Sequence, residues 1–337
     1  MKILIVGAGP IGCYVGRLLA LAGFDVLICD KRESLLREKC CTGLVTRRVF
    51  EFVDVEPFVL NKFSKARLIC GDLRNSLRVD DYLIDRKRFD FFMLREAVDA
   101  GVRIFLRHEF AGIKDGKALF LNNGRLVSYA FDCLIGADGV NSGVAKMLGV
   151  RRRFFYALQG KAFGEFNLNE YKVYFGDFAP DFFGWIVPEN SKIARIGMAT
   201  RCDLKERFRK FLSMVGHIID DLTELKFGMI PIYAGQRCEF EVLNKRGEGK
   251  KVYLVGDAAC QVKNTTGGGI VPGLWAGRML VEAIKGGISY EKLLKKKGIR
   301  KFLKKHALVR KLIDFVPKGI VVKNVRLFSR KLETRDF

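Results

Sequence analysis

Gly7, Gly9 and Gly12 stand in the run Gly7-Ala8-Gly9-Pro10-Ile11-Gly12, between an apolar stretch and a helix-forming one. Glycines at this spacing let a tight turn form, let backbone N–H groups approach a pyrophosphate at the positive end of a helix, and let that helix pack closely. Such a loop calls for an acidic residue about 20 positions on, to accept from ribose hydroxyls, and Asp30 stands there. The elements that must hold it are equally legible: a strand over residues 2–6, a helix from Cys13 to Ala22 ended by Gly23, and a second strand from Asp25 to Cys29. This βαβ unit is read as binding a dinucleotide. NAD and FAD both remain open from this unit alone.

Two further glycine segments follow apolar strands. Gly136-Ala137-Asp138-Gly139-Val140-Asn141-Ser142 comes after Phe131 to Ile135, and Gly256-Asp257-Ala258-Ala259 after Lys251 to Val255. They resemble the GADG-x-x-S motif and the second flavin motif of the glutathione-reductase-type flavoproteins, in the branch that includes aromatic hydroxylases. In that second motif the aspartate meets the ribityl chain. The resemblance implies FAD.

Within that superfamily the chain is similar to the geranylgeranyl reductase family, including its archaeal digeranylgeranylglycerophospholipid reductases, over approximately residues 1–285. Lys39-Cys40-Cys41-Thr42-Gly43-Leu44 stands where that family has a Cys-Gly-x-Gly-Leu loop beside the flavin. Arg86-Lys87-Arg88-Phe89-Asp90 matches its Arg-x-x-Phe-Asp helix start, and Thr266-Gly267-Gly268-Gly269-Ile270 its TGGGI loop against the isoalloxazine. Phe183-Gly184-Trp185-Ile186-Val187-Pro188 resembles its substrate-cavity motif. The resemblance thus implies cofactor contacts at Gly7, Gly9, Ile11, Gly12, Asp30, Lys31, Cys40, Cys41, Arg86, Phe110, Asp138, Gly256, Asp257, Gly268, Gly269 and Ile270, and a substrate cavity at Phe183, Trp185 and Pro188. Cys40 is the one catalytic candidate, because a thiol near the ring can act as donor or acceptor of a proton. The helix entered by Gly267 to Gly269 also points its N–H dipoles at the negative charge of a reduced flavin.

The implied activity is FAD-dependent saturation of C=C bonds in the geranylgeranyl groups of isoprenoid membrane-lipid precursors. A ferredoxin or NAD(P)H would be the electron donor. The chain departs from the family at Cys41 for a glycine, Thr42 for an acidic residue, and Lys263-Asn264 for Asp-Pro. One alternative is an FAD monooxygenase or halogenase acting on a small aromatic or apolar substrate. A halogenase's Trp-x-Trp-x-Ile motif is absent, with tryptophan only at Trp185 and Trp275. The other alternative is a non-catalytic flavin-bearing protein that binds membrane or nucleic acid, nucleic acid being the weaker partner.

These motifs need an α/β fold: a Rossmann-type FAD-binding domain with an inserted antiparallel substrate sheet and a C-terminal helical tail. Period-two runs such as Tyr171 to Phe175 and Lys192 to Ile196 mark the inserted sheet. The expected division is 1–62, 82–150 and 246–285 for the FAD domain, 63–81 and 151–245 for the β-rich domain, and 286–337 for the tail. No apolar run of 18 residues occurs, nine cysteines show no paired spacing, and His108, His217 and His306 lie far apart. The expectation is a cytoplasmic protein with reduced thiols and no metal.

Charge is uneven. The formal net charge is +23, and residues 285–337 hold 17 Lys or Arg against 4 Asp or Glu. Phe302, Val309, Leu312, Ile313 and Val316 recur there at helical spacing, which fits either a helix packed on the domain or one lying at the inner face of an anionic membrane.

Overall fold

The computed structural model describes residues 1–34 and 40–330, with side chains as far as residue 327. Lys39 of the cysteine loop and residues 331–337 of the tail lie outside the described residues.

β1 (Lys2–Val6) is apolar after its first residue because it is central in a sheet covered on both faces. Pro10 opens α1 (Pro10–Leu21), where a missing N–H costs nothing, and β2 (Asp25–Cys29) returns parallel to β1. The chain then leaves this layer through β3 (Leu44–Thr46), β4 (Val59–Cys70) and β5 (Leu73–Ile84). It comes back at α2 (Arg86–Asp99), N-capped by Asp85, whose carboxylate accepts from the backbone N–H groups of Lys87 and Arg88. β6 (Arg103–Phe105) precedes a meander of β7 (His108–Lys114), β8 (Lys117–Asn122) and β9 (Arg125–Ala130), after which β10 (Cys133–Gly136) leads into α3 (Gly143–Met147).

The second excursion comprises β11 (Phe154–Phe163), β12 (Glu170–Tyr174), β13 (Gly184–Pro188), β14 (Ile193–Thr200), α4 (Leu204–Val215) and β15 (Asp221–Pro231). β16 (Glu239–Leu243) and β17 (Gly249–Leu254) rejoin the first sheet, and the helices α5 (Ile270–Gly286), α6 (Tyr290–Lys296), α7 (Ile299–Phe315), α8 (Lys318–Lys323) and α9 (Val325–Arg330) follow.

Among the described residues the strands form three sheets. The first, in the order β16-β17-β10-β1-β2-β6, is parallel except at β16. The second, β15-β11-β14-β13-β12-β4-β5-β3, is antiparallel except where β12 runs parallel to β4. That exception arises because the two strands come from different excursions of the chain, so no hairpin dictates their direction. The eight-stranded sheet also takes in residues 44–46, 59–62 and 82–84, whereas β16 pairs in the parallel sheet, so the layers change at other residues than the alternation of the sequence suggests. One apolar core lies between the parallel sheet and its helices. Another, with Phe208, Phe211 and Val215 of α4, covers the eight-stranded sheet.

Candidate flavin site

Val6 lies opposite Gly136, and Gly136 opposite Leu254, so the turns after β1, β10 and β17 leave the C-terminal edge of the parallel sheet side by side. Their close fit depends on missing β-carbons. Gly7 has φ +107°, and a Cβ there would sit 2.6 Å from the carbonyl oxygen of Ala137, while one on Gly12 would strike the carbonyl of Gly7. Ile11 reaches across to Gly256 and Gly273, 3.3 and 2.9 Å from where their β-carbons would be. A carboxylate oxygen of Asp257 lies 2.8 Å from the same point on Gly269. Ile270 begins α5 directly after it.

The cysteine loop and the glycine loop meet on one strand. Gly228 and Ile230 are two apart on β15 and therefore share a face. Cys40 Sγ is 2.8 Å from the β position of Gly228, and Ile230 is 3.1 Å from that of Gly267. Cys40 also donates to the carbonyl of Lys226 at 3.3 Å. Arg86, at the first turn of α2, donates to Cys41 Sγ at 2.7 Å and to Asp90 at 3.0 Å. A cleft of about 160 Å³ opens here, lined by Cys41, Arg86, Asp90, Gln159, Arg195 and Lys226 among others. It is polar.

Other expected positions fall at the margin. Lys31 is exposed, 3.8 Å from Glu109, and the Phe110 ring lies 3.5 Å from the β position of Gly143 in the first turn of α3. Phe183 stacks on Phe182 with centroids 4.2 Å apart and meets Trp185 edge to face. Trp185 is buried in the eight-stranded sheet, its indole N–H donating to Gln159 at 3.1 Å, and Pro188 ends the buried strand β13. Trp185 and Pro188 lie on β13 and Phe183 directly precedes it, but packed side chains and Gly197 cover the tryptophan.

FAD fits these residues on structural grounds. Among the described residues no side chain caps α1, no acidic residue stands in its first turn, and the buried Oδ1 of Asp138 has no hydrogen-bond partner. A family model described as an FAD binding domain matches residues 1–70. Digeranylgeranylglycerophospholipid reductase 1 of Methanothermobacter thermautotrophicus is 27% identical over 319 residues, covering 86% of this chain and 78% of the relative. The corresponding enzyme 2 of Methanosphaera stadtmanae is 26% identical, covering 85% and 79%. Over most of its length the chain is thus similar to FAD-binding oxidoreductases of the geranylgeranyl reductase family. Its fold matches a geranylgeranyl bacteriochlorophyll reductase-like structure from Thermoplasma acidophilum with TM-score 0.84, 21% identity and coverage of 100% and 93%. A flavin-dependent brominase has TM-score 0.74 at 15% identity, covering 98% of this chain and 92% of its own, and shares the fold alone.

Electrostatics refine the picture of this flavoprotein. Burial pushes the Cys40 thiol up to about 11, with Cys41 adding to it, so Cys40 is a neutral thiol at physiological pH. It can donate a proton but is not a ready base. Burial alone would raise Asp30, yet hydrogen bonds and charge from Arg32 hold it below the usual carboxylate range. Arg32 donates to both oxygens of Asp30 through its backbone and guanidinium, and Ala8 N–H donates to Oδ2 at 2.7 Å. All four acceptor directions of Asp30 are thus filled, and a ribose hydroxyl must share or displace the Arg32 contacts. Burial lowers the tendency of Arg86 to be charged, but Cys41 and Asp90 outweigh it and keep the guanidinium protonated.

Sequence reasoning missed four groups here: Arg32, two residues after Asp30; Gln159, which accepts from both Thr42 and Trp185; Arg195, which donates to the carbonyl of Thr42; and the buried Asp81 with the half-buried Tyr171 that donates to it. Only Arg32 carried a local signal.

Proposed function

We propose that this protein reduces C=C bonds of geranylgeranyl groups in isoprenoid lipid precursors. What supports the reading is the meeting of the cysteine loop and the TGGGI loop on β15, joined to the likeness to digeranylgeranylglycerophospholipid reductases. The three glycine turns would hold the pyrophosphate and ribityl chain through Gly7, Gly9, Gly12, Asp138, Gly256 and Asp257, with Ile11 against the turn at Gly256. Gly268, Gly269, Ile270 and Arg86 would border the ring, and Lys31 and Phe110 the adenosine end. Bound FAD, once reduced, supplies hydride chemistry. The protein's own part is to exclude water, to place the alkene, and to provide a proton; Cys40, a neutral thiol, is the proposed donor. Phe183, Trp185 and Pro188 would form one apolar wall, with the packed aromatic side chains moving to admit a prenyl chain.

The substrate is a lipid, and α7 offers a way to reach it. Leu308, Leu312 and Phe315 are exposed, Phe315 at 88%, and Lys301, Lys304 and Lys311 lie on the same helical face. No helix among the described residues is long and apolar enough to cross a membrane. Peripheral contact with an anionic surface is therefore part of the proposal. Electrons would come from a ferredoxin or NAD(P)H.

The test is to purify the protein, identify noncovalent FAD, reduce it anaerobically and add a digeranylgeranyl glycerophospholipid. Mass spectrometry should show two hydrogens gained for each double bond reduced. An unchanged lipid, with oxygen consumed in the presence of NAD(P)H and an aromatic substrate, would replace this reading with a monooxygenase.

A further inference from the structure

Residues 263–268 form a tight turn closed on itself. Lys263 N–H donates to the carbonyl of Gly268 at 3.1 Å, and its own carbonyl accepts from Thr266 and Gly267 at 3.2 and 2.8 Å. This folds the Lys263 side chain back over Gly268, with Cε 2.9 Å and Nζ 3.4 Å from where a β-carbon of Gly268 would stand. The ammonium thus lies against the very glycine that the reading above places at the ring.

Charged and titratable groups face Lys263 from three elements: Asp81 on β5, Arg48 in the turn before β4, and His306 on α7. Asp81 is itself buried and accepts from the hydroxyl of Tyr171 on β12 at 2.8 Å. His306 is buried and bonded to Thr265, two residues from Lys263. Burial pulls the Lys263 pKa down, Asp81 draws it back up, and Arg48 opposes the charge.

We propose that Lys263, held over Gly268 and balanced by Asp81, sets how readily the bound FAD accepts electrons. Reduction adds negative charge to the ring system, and a half-buried cation beside the ring stabilises that charge more than a fully solvated one would. Asp81 works against it. The inference rests on the placement of the TGGGI loop at the ring, and Lys263 is a positioning residue for charge rather than a group that reacts.

The test is an anaerobic redox titration of FAD-loaded protein against reference dyes at neutral pH. Lys263→Met should make two-electron reduction at least about tenfold less favourable, a potential lower by roughly 30 mV. Lys263→Arg should stay near the wild type, and Asp81→Asn should move the potential the other way. Bound FAD with an unmoved potential in Lys263→Met overturns the inference and leaves the proposed activity standing. Should Lys263→Met fail to retain FAD, Asp81→Asn decides: a potential equal to the wild type overturns the inference. A wild-type protein that takes up no FAD overturns the flavin site itself, and this inference with it.

Discussion

Gly268 could accept a β-carbon at small cost to the protein alone, because the three nearest atoms would be two at the flexible end of Lys263 and the hydroxyl oxygen of Thr266. Its need for glycine would come from the ring. Gly268→Val should therefore keep a thermal midpoint near that of the wild type while bound FAD weakens by at least about tenfold, since a β-branched side chain cannot fold away from the loop. Native flavin content in the variant would place the ring elsewhere. His306 gives a prediction of the opposite kind, in stability rather than ligand. Burial lowers its pKa to about 3 from the ordinary 6.5, with Lys263 and Lys305 adding to the effect. Between those values the unfolded chain binds more protons than the folded one, so stability is full above about pH 6.5 and is lost as pH falls, by up to about 1.4 kcal/mol per pH unit. His306→Gln should lose less thermal midpoint between about pH 6.5 and 5 than the wild type does. Parallel curves for the two proteins would show that His306 is not the group responsible.

At the scale of the element, α7 divides the apolar stripe read from the sequence. Val309 and Ile313 are buried and Phe302 packs edge to face on Trp275, whereas Leu312 is exposed together with Leu308 and Phe315. The helix thus has an inner face that secures it and an outer one that could enter a lipid surface. Ile313→Ala should cost about 2–5 kcal/mol of stability without changing vesicle binding per folded molecule. Replacing Leu308, Leu312 and Phe315 together by Ser should leave thermal stability intact and abolish sedimentation with anionic vesicles. Binding by the wild type should weaken as salt rises, because exposed lysines are screened beyond about 8 Å at physiological ionic strength. Equal binding to neutral vesicles, or undiminished binding by the serine variant, removes the membrane contact from the proposal.

Over the whole molecule, the net charge of +23 creates a field that an acidic electron-transfer protein would feel before contact. Among the described residues one parallel sheet carries one βαβ dinucleotide unit, and the other large sheet is nearly all antiparallel. A nicotinamide cofactor would then visit transiently. Reduction by an acidic ferredoxin should slow by at least about tenfold when salt rises from about 50 to about 500 mM, while flavin content stays constant. Salt-independent reduction by NADPH at a comparable rate would favour the nicotinamide donor.

Local rules carried the sequence reading far. The glycine spacing, Asp30 at the end of a strand and the glycines at the ends of apolar strands are each set by neighbours within a few residues, where backbone conformation and hydrogen bonding speak directly. From them followed the βαβ dinucleotide unit; period-two runs marked the inserted sheet, and the resemblance of the motifs implied FAD. The tertiary structure alone decided the rest. That β12 runs beside β4, that Trp185 meets Gln159 inside a sheet, and that Lys263 faces Asp81 depend on residues tens to hundreds of positions apart. Such pairings leave no periodicity in a sequence, because they are chosen by the closure of whole layers over a common core, and a single lysine reads the same in solvent as beside a buried aspartate.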